Sequence, residues 1–356
     1  MEFFERKSMN IYKLASMAGV SVATVSKVIN GKEGVGQETR ERILKLIDEY
    51  DFRPKISNNT EDIIGLVYRL DSPGVSVSNY IMKVIAGVTD TLYEYGYFVT
   101  LIPYDFLPKD KNDLRVFCKK RKISGFVFVN LRENNQEVFT AAELHPVVTV
   151  SSRFVGKDIV SVRSQNREGA YQAVKELISL GHRDIVTFMP DLLIPDHRDR
   201  LDGYKQALEE AGLPVKNEYI IDYVNFALDL PIVVERLFIN SDNPPTAAFI
   251  CDDFEVMKIK SIFEMYHLEI PRDISVVGFD DYDYAAYFSP PLTTVRQPLE
   301  ALGAEAAKLI YKMVNNPEEQ QQDVILDTQL ILRKSTRRLE DQSSKPAGDK
   351  ENLLIG

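Results

Sequence analysis

From residue 63 onward the chain alternates between short β-branched runs and amphipathic helical stretches, a rhythm that leaves few folds open. The strand-like runs are Ile63–Tyr68, Phe98–Ile102, Gly125–Val129, Val147–Val150, Ile185–Phe188, Ala247–Ile250 and Ser275–Phe279. Between them, apolar residues recur at helical spacing near Ile81–Tyr95, Glu168–Leu180, Gly203–Ala211, Leu228–Ile239, Phe254–Tyr266 and Leu299–Val314. Strands that alternate with helices predict parallel sheets whose faces are covered by those helices. About 270 residues of this rhythm suit two doubly wound lobes better than one, because single cores stop growing near that size.

The first 55 residues behave differently. They carry 10 Lys and Arg against 8 Asp and Glu, a balance of +2, whereas the remainder carries 33 against 45, a balance of −12. The overall charge of −10 excludes a protein that coats nucleic acid along its whole surface, but not one small basic reading module. Cys118 and Cys251 stand far apart in no C-x-x-C pattern, which excludes a disulfide framework and a thiolate zinc site. No apolar run reaches the ~18 residues that cross a bilayer, and the N-terminus lacks a signal-peptide apolar core. The expected setting is the reducing cytoplasm, with no membrane contact.

Within the N-terminal piece, Leu14, Ala15 and Ala18 share one helical face. Gly19 then permits a tight turn, Val20 anchors it, and Ser21 is placed to cap the next helix. In that helix Val25, Val28 and Ile29 point inward while Val22, Ala23, Ser26 and Lys27 point out. A third helix over Glu38–Tyr50 buries Ile43, Leu44 and Ile47. Three short helices joined this way form an all-α helix-turn-helix head whose second helix enters the major groove. The expected divisions are a head over 9–55, a polar linker over 56–62, a two-lobed α/β domain over 63–338, and a disordered polar tail over 339–356 without coiled-coil heptads.

The pattern I-Y-x-L-A-x-x-A-G-V-S-x-A-T-V-S-K-V-I-N-G, followed by T-R-E-R-I, resembles the DNA-binding head of the lactose/galactose repressor (LacI/GalR) family of bacterial regulators. The resemblance makes Met9 the expected natural start. It places Val22, Ala23 and Lys27 against base edges, with Lys27 donating to guanine and Ala23 touching a thymine methyl. It gives Tyr12, Ser21, Thr24, Ser26, Asn30, Thr39 and Arg40 to the phosphates that set register. The family's hinge helix, P-N-x-x-A-R-x-L, is replaced here by P-K-I-S-N-N-T-E-D, which leaves Ile56 alone as an apolar wedge for the minor groove.

The likeness extends through Leu180-Gly181-His182-Arg183, Val276-Val277-Gly278-Phe279-Asp280-Asp281 and Pro291-Leu292-Thr293-Thr294-Val295. It implies a periplasmic-binding-protein-like effector domain that holds its ligand between the lobes, beyond the carboxyl ends of the strands. By position the ligand contacts are Ser78 and Tyr80 at the first helix, Ser151 at a strand end, His197 and Arg200 before Gly203, Phe226 as a stacking ring, and Asp252 and Asp280 at strand ends. Carboxylates accept hydroxyl hydrogens and an arginine fork holds paired oxygens, so the set suits a sugar or sugar derivative. Asp253 and Asp281 are expected to cap helices, Cys251 to be a small buried residue and His182 to hold a turn.

Four scattered histidines and the absence of H-E-x-x-H, G-x-S-x-G and a P-loop leave no catalytic, metal or cofactor constellation, so no enzyme is expected. The rival to a homodimeric, ligand-responsive repressor on a palindromic operator is a sugar-binding solute receptor with no DNA function. Replacing Lys27 by Ala is expected to weaken specific binding by about 1–3 kcal/mol and nonspecific binding far less. Titrating cognate and scrambled duplexes checks this, and an equal loss on both reassigns Lys27 to a phosphate.

Overall fold

The computed structural model describes residues 11–29, 34–50, 63–69, 79–132, 135–154, 156, 158–223 and 228–339. The head contains α1 (Ile11–Ala18), α2 (Val22–Ile29) and α3 (Gln37–Glu49). Gly19 adopts φ +64°, which lets the Val20 N–H reach back to the Ala15 carbonyl at 3.0 Å. Ser21 Oγ accepts the Thr24 N–H at 3.1 Å and so caps α2. Leu14, Ala15, Ala18, Val25, Val28 and Ile43 form the small core. Leu44 does not join it and is 48% exposed, contrary to the expected burial. The face that Ile43 starts continues to Leu46 and Ile47, three and four residues on, and Leu44 is turned about 100° away from it. The linker and residues 340–356, expected to be hinge and tail, lie outside the described residues, although Leu339 donates its N–H to the Leu180 carbonyl.

The two-lobed body begins with β1 (Ile63–Tyr68), α4 (Asn79–Glu94), β2 (Phe98–Pro103), α5 (Lys111–Arg121), β3 (Ile123–Val129), α6 (Glu137–Ala142), β4 (Val147–Val150) and β5 (Ile159–Ser164). The chain then crosses to the second lobe for α7 (Asn166–Ser179), β6 (Ile185–Met189), α8 (Pro195–Glu210), β7 (Ile220–Asp222), α9 (Leu230–Val234), β8 (Ala247–Ile250), α10 (Asp253–Met265), β9 (Ser275–Asp280) and β10 (Thr293–Arg296). It returns for α11 (Leu299–Asn315) and β11 (Val324–Leu326), and ends in the second lobe with β12 (Gln329–Ile331). The sheet orders are β11-β5-β4-β3-β1-β2 and β12-β10-β9-β8-β6-β7, parallel except where β12 runs against β10. All seven expected strands form. β5, β7, β10, β11, β12, α5 and α6 were not expected, and α8 begins at Pro195, eight residues ahead of its expected start.

Three crossovers, near residues 165, 297 and 327, join the lobes, and Gln165 Nε2 donates to Asp327 Oδ1 at 2.7 Å between two of them. Helix pairs within each lobe touch backbone to backbone. A Cβ at Gly303 in α11 would lie 2.2 Å from the Val84 carbonyl oxygen of α4, and one at Gly203 in α8 would lie 2.1 Å from the Arg167 carbonyl oxygen of α7. A main-chain oxygen cannot rotate aside, so Gly303→Ala must separate α4 from α11 and is expected to cost about 1–3 kcal/mol, as overpacking does. Denaturant midpoints of wild type and variant measure this. An unchanged midpoint contradicts the close packing.

Candidate functional site

Parallel strands bring their carboxyl ends to one edge of each sheet, and in both lobes that edge borders the cleft. The backbone is contorted there. Asn130 after β3, Ser151 after β4, and Asp280 and Asp281 at the end of β9 have φ of 57°, 57°, 107° and 53°. Each such non-glycine residue costs of order 1–3 kcal/mol, a strain that persists where the surrounding structure fixes it.

On the second-lobe side, Arg200 of α8 is 3% exposed. Its Nε donates to Asn166 Oδ1 at 2.8 Å and one terminal nitrogen donates to the Cys251 carbonyl at 2.5 Å. The other terminal nitrogen lies 3.3 Å from Asp280 Oδ1, and the guanidinium sits 3.8 Å from the Phe279 ring centroid. Burial is the largest influence and works against this cation, but Asp280, Cys251, Asp196 and Asp252 together outweigh it and raise the pKa. Asp280 is raised by its own burial, with Arg200 pulling the other way, and it accepts from Gln297 Nε2 at 2.6 Å. Both partners belong to the second lobe, so the pair is an internal fastening of that lobe and does not bridge the two.

On the first-lobe side, the Tyr80 and Ser151 hydroxyls share a hydrogen bond. Opposite them lies Asp196, at the start of α8, which the sequence reading did not single out. It is 3% exposed, and neither carboxylate oxygen has a hydrogen-bond partner among the described residues. Burial raises its pKa, and Arg200, Ser151 and Asn166 nearby pull it down. A buried carboxylate with unused lone pairs is costly and marks a place for a donor. No side-chain periodicity distinguishes Asp196 from an ordinary first-turn acid, so the sequence carried no signal for it.

His197 Nδ1 lies 2.8 Å from the Asp191 carbonyl oxygen, which makes Nδ1–H the donor and leaves Nε2 with a lone pair. Burial and the nearby Arg200 cation push its pKa down to about 3. Asp252 is the N-cap of α10 and accepts the Glu255 N–H at 2.8 Å. Its pKa is raised well above the usual range by burial and by the Glu255 and Asp280 charges. The expected capping role of Asp253 therefore falls to Asp252. Asp253 is fully buried and accepts from Thr294 Oγ1 at 2.7 Å and the Tyr282 N–H at 3.1 Å, tying β10 to the end of β9. Asp281 also caps nothing and pairs with Arg296 at 2.7 Å and Arg333 at 2.6 Å. His182 holds its turn as expected, bonded to Thr246 Oγ1 at 2.9 Å and the Arg337 carbonyl at 3.1 Å.

His197, Cys251 and Asp252 bring one donor atom each within 4.8 Å of one another. The Arg200 guanidinium, itself paired with Asp280, lies 4.0 Å from Cys251 Sγ beside this trio. Ser78 and Phe226 lie outside the described residues. In the head, Lys27 is exposed, and Thr24, Thr39 and Arg40 are half-buried. Ser21 Oγ is engaged with Thr24 as a cap. Asn30 and the side chains of Tyr12, Val22, Ala23 and Ser26 lie outside the described residues.

Among the described residues, three ion pairs cross the cleft: Arg132 to Asp191 at 2.6 Å, Lys83 to Asp283 at 3.0 Å and Arg153 to Asp199 at 3.4 Å. None was anticipated from the sequence, because each joins residues far apart in the chain that only the tertiary fold brings together.

Residues 10–55 match the profile of the bacterial regulatory proteins of the lacI family, and residues 174–336 match a periplasmic binding protein-like domain. The chain is 30% identical to the HTH-type transcriptional repressor PurR of Photobacterium profundum, over 92% of this chain and 99% of the relative. It is similar to a solved regulatory protein of the LacI family from Chloroflexus aggregans, with 26% identity, a TM-score of 0.67, and 77% and 98% of the two chains covered. The transcriptional regulator CelR in complex with cellobiose shares the fold at 24% identity, with a TM-score of 0.68 over 92% of this chain and 99% of that one. A helix-turn-helix head joined to a two-lobed binding domain defines a DNA-binding transcriptional regulator and not an enzyme. The chain belongs to the lacI family of bacterial regulatory proteins.

The state of His197 has a consequence for stability. It is neutral in the folded chain down to about pH 3, whereas an unfolded histidine takes up a proton below ~6.5. The stability it supports is full above that upper value and is lost as pH falls from there toward 3. His145 and His182, lowered by burial, add to the same loss. His197→Gln is expected to make the decline of the denaturant midpoint between about pH 7.5 and 4.5 shallower, and an unchanged slope contradicts a neutral, enclosed imidazole.

Proposed function

We propose that this regulator is a ligand-responsive repressor that binds a palindromic operator as a homodimer and takes an uncharged, hydroxyl-rich effector in its cleft. What supports the effector class is the buried Asp196 carboxylate, which has Ser151 and Asn166 beside it but no hydrogen bond of good geometry among the described residues, set between the Tyr80–Ser151 pair and the Arg200–Asp280 pair. Arg200 is the cation that acts on Asp196, and its fork is already engaged by Asn166, Cys251 and Asp280. A ligand therefore meets acceptors and hydroxyls, which favours sugar hydroxyls over a phosphate or carboxylate. CelR, of the same fold, was solved with cellobiose. Tyr80, Ser151, Asp196, His197, Arg200, Asp252 and Asp280 form the described part of the proposed site, to which the sequence adds Ser78 and Phe226.

The repressor reading is supported by the relative named a transcriptional repressor, and a protein that works on the chromosome is expected in the cytoplasm. No helix among the described residues is long and apolar enough to cross a membrane. The homodimer is supported by the first lobe's outer edge, where β2 and the segment after it expose Phe98, Leu101 and Phe106 at 63%, 48% and 76%. In the head, Val22, Ala23 and Lys27 are the proposed base readers, with Tyr12, Ser21, Thr24, Ser26, Asn30, Thr39 and Arg40 as phosphate contacts. The helix-turn-helix disfavours the solute-receptor alternative.

A thermal-shift screen of neutral sugars, sugar phosphates, nucleosides and amino acids tests the effector class. A ligand at about 100 times its Kd stabilises the fold by about 2.7 kcal/mol. The expected hit is a neutral sugar, with the shift lost in Asp196→Asn and Arg200→Ala. Hits confined to anionic compounds, or a sugar hit that Asp196→Asn leaves intact, contradict the proposed recognition.

A further inference from the structure

The end of the first lobe opposite the cleft carries a charge that the binding site does not use. The last turn of α5 holds Lys119, Lys120 and Arg121, and Lys122 follows as its C-cap with φ 55°. All four are exposed. Lys119, Lys120 and Arg121 form no ion pair among the described residues, and Arg121 rests its guanidinium 3.9 Å from the Phe117 ring centroid. Basic residues in a last helical turn complement the helix dipole, but that effect is worth about 0.3–1 kcal/mol and does not call for a run of four. The run is also anomalous in a chain with 53 Asp and Glu against 43 Lys and Arg.

Its position supplies the reason. The Lys122 carbonyl accepts the N–H of Ile63 at 2.9 Å, and Ile63 is the first residue of the first lobe. A surface cavity of about 420 Å³ is lined by Ile63, Thr100, Lys120, Arg121 and Lys122. The basic run therefore surrounds the point where the segment from the DNA-binding head enters the lobe. That segment, residues 51–62, spans at most about 40 Å when fully extended. A duplex held by the head is thus tethered no farther from this cluster than that span plus the width of the head, which leaves the cluster able to reach it.

We propose that Lys119–Lys122 is a second, sequence-independent DNA contact, in which exposed cations of the effector domain engage backbone phosphates of the duplex that the head reads. The proposal rests on operator binding by the head. Such phosphate contacts add affinity and salt dependence but no base discrimination.

The test uses the full chain and an operator selected by it from random DNA, with a scrambled duplex of equal length. Affinity is measured by fluorescence anisotropy from low to high salt for wild type and for Lys119→Gln/Lys120→Gln/Arg121→Gln. Each lost phosphate contact lowers the slope of log K against log salt by about 0.9, so a dimer losing one contact per protomer weakens about tenfold or more at low salt. The loss is expected to be equal on both duplexes and to vanish toward high salt, with an unchanged thermal midpoint and unchanged preference for the operator. Lys120→Gln alone is expected to move the slope in the same direction by less. Parallel salt lines for wild type and both variants overturn the proposal, and then the cluster serves an acidic protein partner or balances Glu61 and Asp62 of the linker. A wild-type protein that shows no preference for any duplex overturns the operator reading itself.

Discussion

The second lobe is organised around one buried cation. Arg200 is removed from water, and such a charge persists only when it is paired and hydrogen-bonded throughout. Its partners come from the start of α7, the end of β8 and the end of β9, while the side chain itself belongs to α8. One guanidinium thus fixes four elements at the edge of the cleft. It also holds Asp280 in a strained backbone conformation, since the φ of 107° is tolerated where a strong partner fixes the side chain. Because that fork is engaged inside the lobe, the proposed recognition of an effector rests on the groups around it, Asp196 above all.

The first lobe is held against this frame by weaker interactions. Arg132–Asp191, Lys83–Asp283 and Arg153–Asp199 cross the cleft, and in each of the last two one partner is exposed, Asp283 at 79% and Arg153 at 49%. Exposed ion pairs contribute about 0–1 kcal/mol each, so they bias the lobes without locking them. Tyr282 adds apolar contact, because it follows β9 yet packs in the first lobe's core. A ligand that binds Asp196 from one lobe and Tyr80 or Ser151 from the other gains most when the lobes are closed. That difference in affinity between arrangements is what any effect on the head requires.

Much of this was legible in the residues. The helix-turn-helix showed itself because a Gly turn, a Ser cap and apolar residues at helical spacing all point the same way. Seven strands, all but β2 interior to their sheets, showed themselves as short apolar runs rich in β-branched residues. What was missed has physical causes. α5 buries only Leu114 and Cys118, a pair four residues apart, so its apolar stripe is too thin to stand out. β5 (IVSVRS) is buried on both faces, yet its polar Ser161, Arg163 and Ser164 hide it among loops. Leu44 is apolar yet exposed, because helical phase turns it away from the face that Ile43, Leu46 and Ile47 share. Asp252, Asp253 and Asp281 share one residue type, and only the neighbours supplied by other strands divide them into a cap, a tie between strands and an arginine partner. Asp196 and the three cross-cleft pairs depend wholly on tertiary juxtaposition, to which local spacing is blind.

The central claim is that occupancy of the cleft governs the hold on DNA. The most direct measurement is operator affinity at zero and saturating effector, set beside effector affinity with and without operator. Linkage requires the two ratios to be equal, and a factor of about 5–150 is typical of such coupling. The account predicts equal ratios that differ from one and that return to one in Asp196→Asn. An effector that binds in the cleft and leaves operator affinity unchanged contradicts it.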